Sequence, residues 1–309
     1  MLAILTALLP INLYQACSYS YDSWVFIWIF YGICRFVGYL QDKERGFSLR
    51  ECFLFVLSIA LGSLSKPVYL PILILLFVIP KSKFPGKKWH ALYLAVLFAA
   101  VAVGAVGAIR ILPSVVGSLT DTRGGSDVNA LWQLRYMQNN PLSAAKTILK
   151  FLFRDYLRLG DARKFLTYTG YFSAMAKLED NYGSFPFADL WVILLLYNAF
   201  TEGSGEEIRE IPGSGEVTLR IAMGLGFFLS VALYAAVMYL SFTGVGADTV
   251  AGCQGRYIEP VLLPGLWLFR SGRIRIERSQ ERYRNLIFLF AILLLLSGIA
   301  KVAMSVRMP

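Results

Sequence analysis

The sequence contains one histidine, no pair of cysteines at metal-ligand spacing, and few charged residues. His90 is the only histidine among 309 residues, which excludes histidine-based catalytic triads and multi-histidine metal sites. No two cysteines form a CxxC pair, so neither a zinc site nor a disulfide framework is indicated. Charged residues make up only 16% of the chain, which excludes a soluble domain of ordinary composition.

Apolar residues are abundant instead. They form 57% of the sequence, and the mean hydropathy is +0.57. The formal net charge is +10, but the lysines and arginines gather in short loops between apolar runs. In that position they orient a chain in a bilayer rather than bind nucleic acid. The composition therefore predicts a multi-pass membrane protein, with lipid and not nucleic acid around it.

Nine apolar runs have lengths suited to membrane helices. A spanning helix needs about 20 residues, and only helices or closed barrels satisfy their backbones in lipid. We therefore expect an all-α bundle of about nine transmembrane helices, forming a single membrane domain over residues 1–309. The runs cover approximately 1–16, 23–40, 51–65, 67–80, 89–112, 185–201, 218–242, 257–270 and 285–304.

Two short basic connections set the predicted topology. Lysines fill the connection 81–88 and arginines fill 270–284, so the positive-inside rule places both in the cytoplasm. Alternation then puts 17–22, 244–256 and the long segment 113–184 outside. We expect 113–184 to be an extracytoplasmic helical loop within the membrane domain.

The first apolar run lacks the marks of a signal peptide. Residues 1–16 have no basic residue before the apolar core and no small-residue cleavage motif. The run looks like a helix entered partway, so we expect the chain to begin inside a longer architecture.

Lys66 and Pro67 join two apolar runs of about 15 residues. Each run would reach only ~22 Å as an α-helix, against a hydrocarbon core of ~30 Å. Lys66 should then lie below the outer surface, where a buried ammonium lines a cavity or pairs with an anion. The alternative is a lysine that extends to the interface beside a proline turn.

A basic stripe marks the predicted outer loop. Pro141 begins and Gly160 ends a helical pattern in which a cation recurs every four residues. Such a stripe on an amphipathic helix attracts anionic lipid or a lipid-linked phosphate. The alternative is a helix docked on the protein with a solvated basic face. The cations are Lys146, Lys150, Arg154 and Arg158.

The sequence GCQGRYIEP, residues 252–260, begins another short apolar run. Arg256 carries a planar fork of donors suited to phosphate, and Gln254 and Tyr257 flank it as further contacts. Glu259, one turn deeper, offers a competing interpretation in which it neutralises Arg256 as an internal ion pair.

Asp22, in SYSYDSW, is the remaining candidate. An Asp or Ser before an apolar helix is ordinarily an N-cap. The alternative is a carboxylate that binds a cation or a sugar hydroxyl or acts as a base.

Four stretches together resemble a known family. They are SYSYD, SLSKPVYLPILILLFVIP, NALWQLRYMQNNP and GCQGRYIEP, in this order and spacing. They resemble the bacterial membrane family called domain of unknown function 2142, whose layout is similar to that of GT-C glycosyltransferases. Those enzymes take a sugar from a polyprenyl-phosphate carrier at the outer membrane face. The family usually begins with further membrane segments and an outer acidic motif, and it has an apolar residue where Glu259 stands here.

The resemblance implies a glycosyltransferase in envelope-polysaccharide assembly, with a polyprenyl-phosphate-linked sugar as donor and an envelope glycan as acceptor. Arg256 and Lys66 would bind phosphate, the basic stripe would guide the lipid head, and Asp22 would be the candidate base. Two alternatives remain: a transporter or flippase for a lipid-linked glycan, and a non-catalytic membrane subunit. No metal motif is present.

Overall fold

A computed structural model describes residues 1–17, 20–156, 187–201, 215–270 and 280–307. Within these ranges the chain is helical and contains no β-strand. The α-helices are α1 (Leu2–Ala7), α2 (Pro10–Ala16), α3 (Tyr21–Gln41), α4 (Leu49–Ser63), α5 (Lys87–Val115), α6 (Ala130–Asn139), α7 (Pro141–Lys150), α8 (Phe187–Thr201), α9 (Gly215–Ser241), α10 (Glu259–Trp267) and α11 (Gln280–Arg307). A 3₁₀ helix covers Pro67–Val78.

The antiparallel pair α3 and α4 forms one side of the core. Two glycines let the helices approach closely. A Cβ on Gly62 would lie 2.7 Å from a side-chain carbon of Ile29, and one on Gly32 would lie 2.9 Å from the Cβ of Ser58. The pair is therefore held at a distance that no larger residue at either glycine would fit without displacement.

The predicted run 67–80 is helical but not α-helical. Pro71 has no N–H to donate to Pro67, and its ring would clash with that carbonyl in an α-helix. The 12 residues of the 3₁₀ helix rise ~2.0 Å each, about 24 Å in all rather than the ~18 Å of an α-helix. The length predicted for this run assumed an α-helix, and that assumption was wrong. Side chains three residues apart align on one face, and Tyr69, Ile72 and Leu75 are buried there.

α9 completes the core by packing against the 3₁₀ helix and α10. Gly226 of α9 faces Ile72, and an added Cβ would lie 3.1 Å from that side chain. The five elements α3, α4, the 3₁₀ helix, α9 and α10 therefore surround one continuous apolar interior.

Within the described ranges, three helices are long and apolar enough to cross a membrane: Tyr21–Gln41, Lys87–Ile111 and Gly215–Ser241. The second is exposed along its whole apolar window, whereas the other two contribute to the core. Nine spans therefore stay a prediction. The predicted run 1–16 is not one helix, because α1 ends at Ala7 and Pro10 begins α2.

The predicted outer segment 113–184 is described only to Tyr156. Its basic helix begins at Pro141 as expected, but α7 ends at Lys150 and a π-helical turn follows over Phe151–Tyr156. Arg158, the last cation of the predicted stripe, lies outside the described residues.

Candidate functional site

Asp22 lies in the first turn of α3, but it does not cap the helix. Ser20 is the N-cap, and its hydroxyl accepts a hydrogen bond of 3.2 Å from the Asp22 amide. The interpretation of Asp22 as an N-cap was therefore wrong. Because Ser20 satisfies the end of the helix, the Asp22 carboxylate is available for other groups.

Lys66 is the first of those groups. It precedes the 3₁₀ helix, and its ammonium forms a short charge-assisted hydrogen bond with Asp22 Oδ1. Both side chains are mostly buried, with exposed fractions of 12% for Lys66 and 8% for Asp22. Of the two interpretations of Lys66, the structure favours the buried, paired ammonium over one extended to the interface.

Arg256 reaches the same carboxylate from a third part of the chain. It lies in the 3₁₀ turn Gly255–Tyr257, and its Nε is 3.4 Å from Asp22 Oδ2. Gly252 makes the approach of this loop possible. Its φ is +78°, and an added Cβ would lie 2.4 Å from the ring of Phe242.

Arg256 remains accessible, with 36% of its side chain exposed. Its other contact in the described residues is weak, a 3.4 Å hydrogen bond from Nη2 to the Tyr257 hydroxyl. Part of its donor fork can therefore bind a ligand without breaking a strong existing bond.

Glu259 is the second carboxylate of the cluster. Its exposed fraction is 1%, and neither carboxylate oxygen has a hydrogen-bond partner among the described residues. The ion pair that Arg256 forms within the described chain is with Asp22, not with Glu259. Asp22, Lys66 and Arg256 nevertheless interact with Glu259 electrostatically. A buried carboxylate without hydrogen-bond donors is unfavourable, so Glu259 is a candidate functional residue.

Tyrosines enclose the charges. The Lys66 ammonium lies 3.8 Å from the centroid of the Tyr257 ring and 4.9 Å from that of Tyr21, within the range of cation–π attraction. The Tyr69 hydroxyl donates to the Tyr257 carbonyl at 2.9 Å. The Tyr156 hydroxyl donates to the Gln254 carbonyl at 2.7 Å. These bonds fix the backbone on both sides of Arg256.

An exposed arginine lies at the rim of this cluster. Arg123 bonds to Asp121 through Nε at 2.9 Å and interacts electrostatically with Tyr21 and Tyr257. The hydrogen bonds from Arg123 lower the pKa of Asp121. The accessible side of the cluster therefore carries the positive charge of Arg123, which already has Asp121 as its counterion.

The basic segment lies near this loop without joining the cluster. Lys146, Lys150 and Arg154 are exposed, while Ala144, Phe151, Leu152 and Tyr156 of the same segment are buried. The segment thus docks on the protein, as one of the two alternatives predicted. It also exposes Leu142, Leu149 and Phe153 beside the cations.

Sequence reasoning named Asp22, Lys66, Arg256, Tyr257 and Glu259 as candidates but missed Tyr21, Tyr69 and Tyr156. Tyr21 precedes Asp22, and Tyr69 follows Lys66 at the three-residue spacing of a 3₁₀ helix. The positions of Tyr21 and Tyr69 next to Asp22 and Lys66 were the signal from which these two tyrosines could have been predicted. Within the described ranges, no group of three or more His, Cys, Asp or Glu side chains is arranged to hold a metal ion.

The fold and the cluster define a helical membrane protein with a charged, tyrosine-lined site at the N-terminal end of α3. A family model described as "Predicted membrane protein (DUF2142)" matches residues 1–264, and the chain belongs to that family. The family predicted from SYSYD, SLSKPVY and QGRY is thereby confirmed. No curated protein and no solved structure matches the chain.

Proposed function

We propose that the protein is a glycosyltransferase that uses a polyprenyl-phosphate-linked sugar as donor for an envelope glycan. The observation that supports this most directly is the convergence of Asp22, Lys66 and Arg256 from three distant parts of the chain. One carboxylate between two cations supplies the two kinds of group that glycosyl transfer to a hydroxyl needs.

In the proposed reaction the acceptor hydroxyl oxygen attacks the anomeric carbon of the donor. The bond between that carbon and the phosphate oxygen breaks, and the phosphate leaves with the electron pair. Asp22 accepts the proton of the acceptor hydroxyl. Arg256 and Lys66 neutralise the negative charge that develops on the leaving phosphate.

The contacts of Asp22 suggest how the donor would activate this base. Without donor, Lys66 and Arg256 both face the Asp22 carboxylate and occupy it. A phosphate that binds the two cations would compete with Asp22 for them. The Asp22 carboxylate would then be released from its two cations and free to bind the acceptor hydroxyl when the donor is in place, which couples proton removal to donor binding.

The tyrosines suit a sugar. Tyr21 is more than half exposed, and Tyr257 is partly exposed beside Lys66. The C–H faces of a sugar ring pack well on aromatic rings, which present an apolar face and a polar hydroxyl. Gln254, adjacent to this wall, adds both donors and acceptors.

The basic segment suits the lipid carrier. Leu142 is 86% exposed and lies on the same side of α7 as Lys146. Apolar side chains beside cations are typical of a helix at the level of the lipid headgroups. Lys146, Lys150 and Arg154 would attract the phosphate of the carrier.

A second function is favoured by one observation. Glu259 is almost fully buried and its oxygens lack donors, which is a common feature of carboxylates that carry protons in membrane transporters. A proton-coupled transporter or flippase for a lipid-linked glycan could use the same cations without breaking a bond.

The test is sugar transfer by the purified chain in detergent, with a radiolabelled polyprenyl-phosphate sugar and a glycan acceptor. We expect Arg256→Ala to lower the rate by about 100-fold or more, as loss of a charge-stabilising donor does. Arg35→Ala is the matched control, because it removes an arginine from a carboxylate at the other end of α3. Its rate should stay within about twofold of the wild type.

Wild-type activity in Arg256→Ala would contradict the assignment of the site. If the wild-type chain forms no product in detergent but moves the lipid-linked glycan across proteoliposomes in an Arg256-dependent way, the transporter replaces the enzyme. A wild-type chain inactive in both assays would contradict both proposals and leave the non-catalytic subunit.

A further inference from the structure

A π-helical turn interrupts the basic segment at its docked end. α7 ends at Lys150, and the next six residues, Phe151–Tyr156, form the turn. The exposed cations of the segment do not require it, since an α-helix would also present residues four apart on one face. π-helical turns are rare and are frequently found at functional sites. The turn therefore needs an explanation of its own.

The turn changes which side chains share a face. In an α-helix, residues five positions apart point about 140° away from each other, since each residue advances the helix by about 100°. In the turn, Phe151 and Tyr156 lie together instead. Their ring centroids are 5.5 Å apart, and the ring planes differ by 20°. Both side chains are fully enclosed, with exposed fractions of 2% and 0%. The turn thus places Tyr156 on the buried face of the segment, stacked on Phe151.

From this position the Tyr156 hydroxyl reaches the loop that contains Arg256. It donates to the Gln254 carbonyl at 2.7 Å, although the two residues are 98 positions apart in the sequence. The same carbonyl accepts a 3.2 Å hydrogen bond from the Tyr257 amide, which closes the 3₁₀ turn Gly255–Tyr257. Arg256 lies inside that turn. Tyr156 therefore holds the beginning of the turn from which Arg256 projects.

The end of the same turn is held from the core. Tyr69, in the 3₁₀ helix Pro67–Val78, is 1% exposed and donates to the Tyr257 carbonyl at 2.9 Å. The side-chain contacts of Arg256 are longer, 3.4 Å to Asp22 and 3.4 Å to the Tyr257 hydroxyl. An arginine with such weak side-chain contacts depends on its backbone for its position.

We propose that Tyr156 is a positioning residue, whose hydrogen bond to the Gln254 carbonyl holds Arg256 where it can bind the phosphate of the donor. Because Tyr156 is fully buried, it acts through Arg256 and not through contact with the ligand. The inference rests on the proposed phosphate-binding role of Arg256. It gives the docked basic segment a second role: the segment that would attract the carrier also sets the position of the cation that receives its phosphate.

The experiment is a double-mutant cycle between Tyr156→Phe and Arg256→Ala. The affinity of the full chain for polyprenyl phosphate is measured in detergent by calorimetric titration. Tyr156→Phe keeps the stacked ring and removes only the hydroxyl, so binding should weaken by about fivefold, the effect of one hydrogen bond. In the Arg256→Ala background the same change should alter the affinity by less than about twofold, because the residue that the hydroxyl positions is gone.

Tyr239→Phe is the matched control. Tyr239 is also fully buried, and its hydroxyl donates to the Ala247 carbonyl at 2.8 Å, in the same loop but farther from Arg256. Each variant loses one buried hydrogen bond, so unfolding in detergent should show a similar loss of stability in both. Only Tyr156→Phe should weaken the binding of polyprenyl phosphate. Size-exclusion profiles check that both variants stay folded.

Equal affinities of the wild type and Tyr156→Phe would overturn the inference. A fivefold loss that persists in the Arg256→Ala background, or an equal loss in Tyr239→Phe, would show a general effect on the fold and would also overturn it. If Arg256→Ala itself leaves the affinity unchanged, the phosphate role of Arg256 fails, and the inference fails with it. The predicted coupling in a chain that transfers no sugar would support the positioning role and contradict the enzyme.

Discussion

The charged side chains at the two ends of α3 are arranged in different ways. Near its C-terminal end, Arg35 donates from Nε and Nη2 to the two oxygens of Glu51, each at 3.0 Å. At its N-terminal end, Asp22 faces two cations from separate parts of the chain, and Glu259 beside them has no hydrogen-bond partner in the described structure. In the first arrangement, both oxygens of Glu51 accept hydrogen bonds from Arg35. In the second, Arg256 Nε and both carboxylate oxygens of Glu259 have no hydrogen-bond partner in the described structure.

That difference separates a structural ion pair from a candidate site. Arg35 and Glu51 connect two helices that already pack together, so their pair adds stability to an existing contact. The Asp22 cluster gathers buried charges whose mutual attraction only partly offsets their loss of water. Ionisable groups inside a membrane protein commonly line substrate or ion pathways.

The largest expected effect is on stability at the buried cluster. Lys66→Met removes the ammonium that bonds to Asp22 and leaves a mostly buried carboxylate facing Arg256 alone. Breaking one partner from a buried pair costs roughly 3–5 kcal/mol. We expect a loss of stability of this order, measured by thermal or denaturant unfolding in detergent.

The double variant Lys66→Met with Asp22→Asn tests the cause. Because the asparagine carries no charge, the double variant should be more stable than Lys66→Met alone. A double variant no more stable than Lys66→Met would show that the lysine acts through packing rather than through Asp22.

A smaller effect is expected where α3 and α4 pack. Gly62→Ala places a Cβ 2.7 Å from Ile29, and such overpacking costs about 1–3 kcal/mol. Gly38→Ala, where an added Cβ would meet no atom within 4 Å, should instead stabilise the chain by about 0.5–1 kcal/mol. Unfolding in detergent measures both, and the same sign for the two variants would contradict the contrast between the tight and open halves of α3.

The smallest effect is expected at the local ion pair. Arg35→Met should cost about 1 kcal/mol or less, since one-third of the arginine side chain is exposed. Sugar transfer should be unchanged. A cost as large as that of Lys66→Met would show that the two ends of α3 do not differ in the way described.

The main charged residues of the site could be named from the sequence, because each lies beside a helix boundary that the pattern of apolar runs reveals. Arg256 follows glycines at the start of an apolar run, and Lys66 joins two runs, so both were expected in one recess. Their contact with Asp22 was not predicted, since no local spacing shows which of three loops meet. The only partner for Arg256 that local sequence spacing suggested was Glu259.

The departures of the fold have local causes. The run 67–80 has the composition of an α-helix, but Pro71 interrupts the hydrogen bonding of a regular α-helix there. Residues 1–16 read as one apolar run, and Pro10 divides them. The capping of α3 by Ser20 rather than Asp22 could not be decided from composition, because both residues are good caps. Hydropathy alone reports length and apolarity, so it does not distinguish a spanning helix from a short buried one.

We propose that Arg256 binds phosphate, whereas Arg35 forms a structural ion pair with Glu51. The most direct measurement is the affinity of the purified chain for polyprenyl phosphate alone, by calorimetric titration in detergent, for the wild type, Arg256→Ala and Arg35→Ala. We expect Arg256→Ala to weaken binding by about tenfold or more and Arg35→Ala to leave it unchanged. Equal affinities in all three proteins, or a loss in Arg35→Ala as large as in Arg256→Ala, would contradict it.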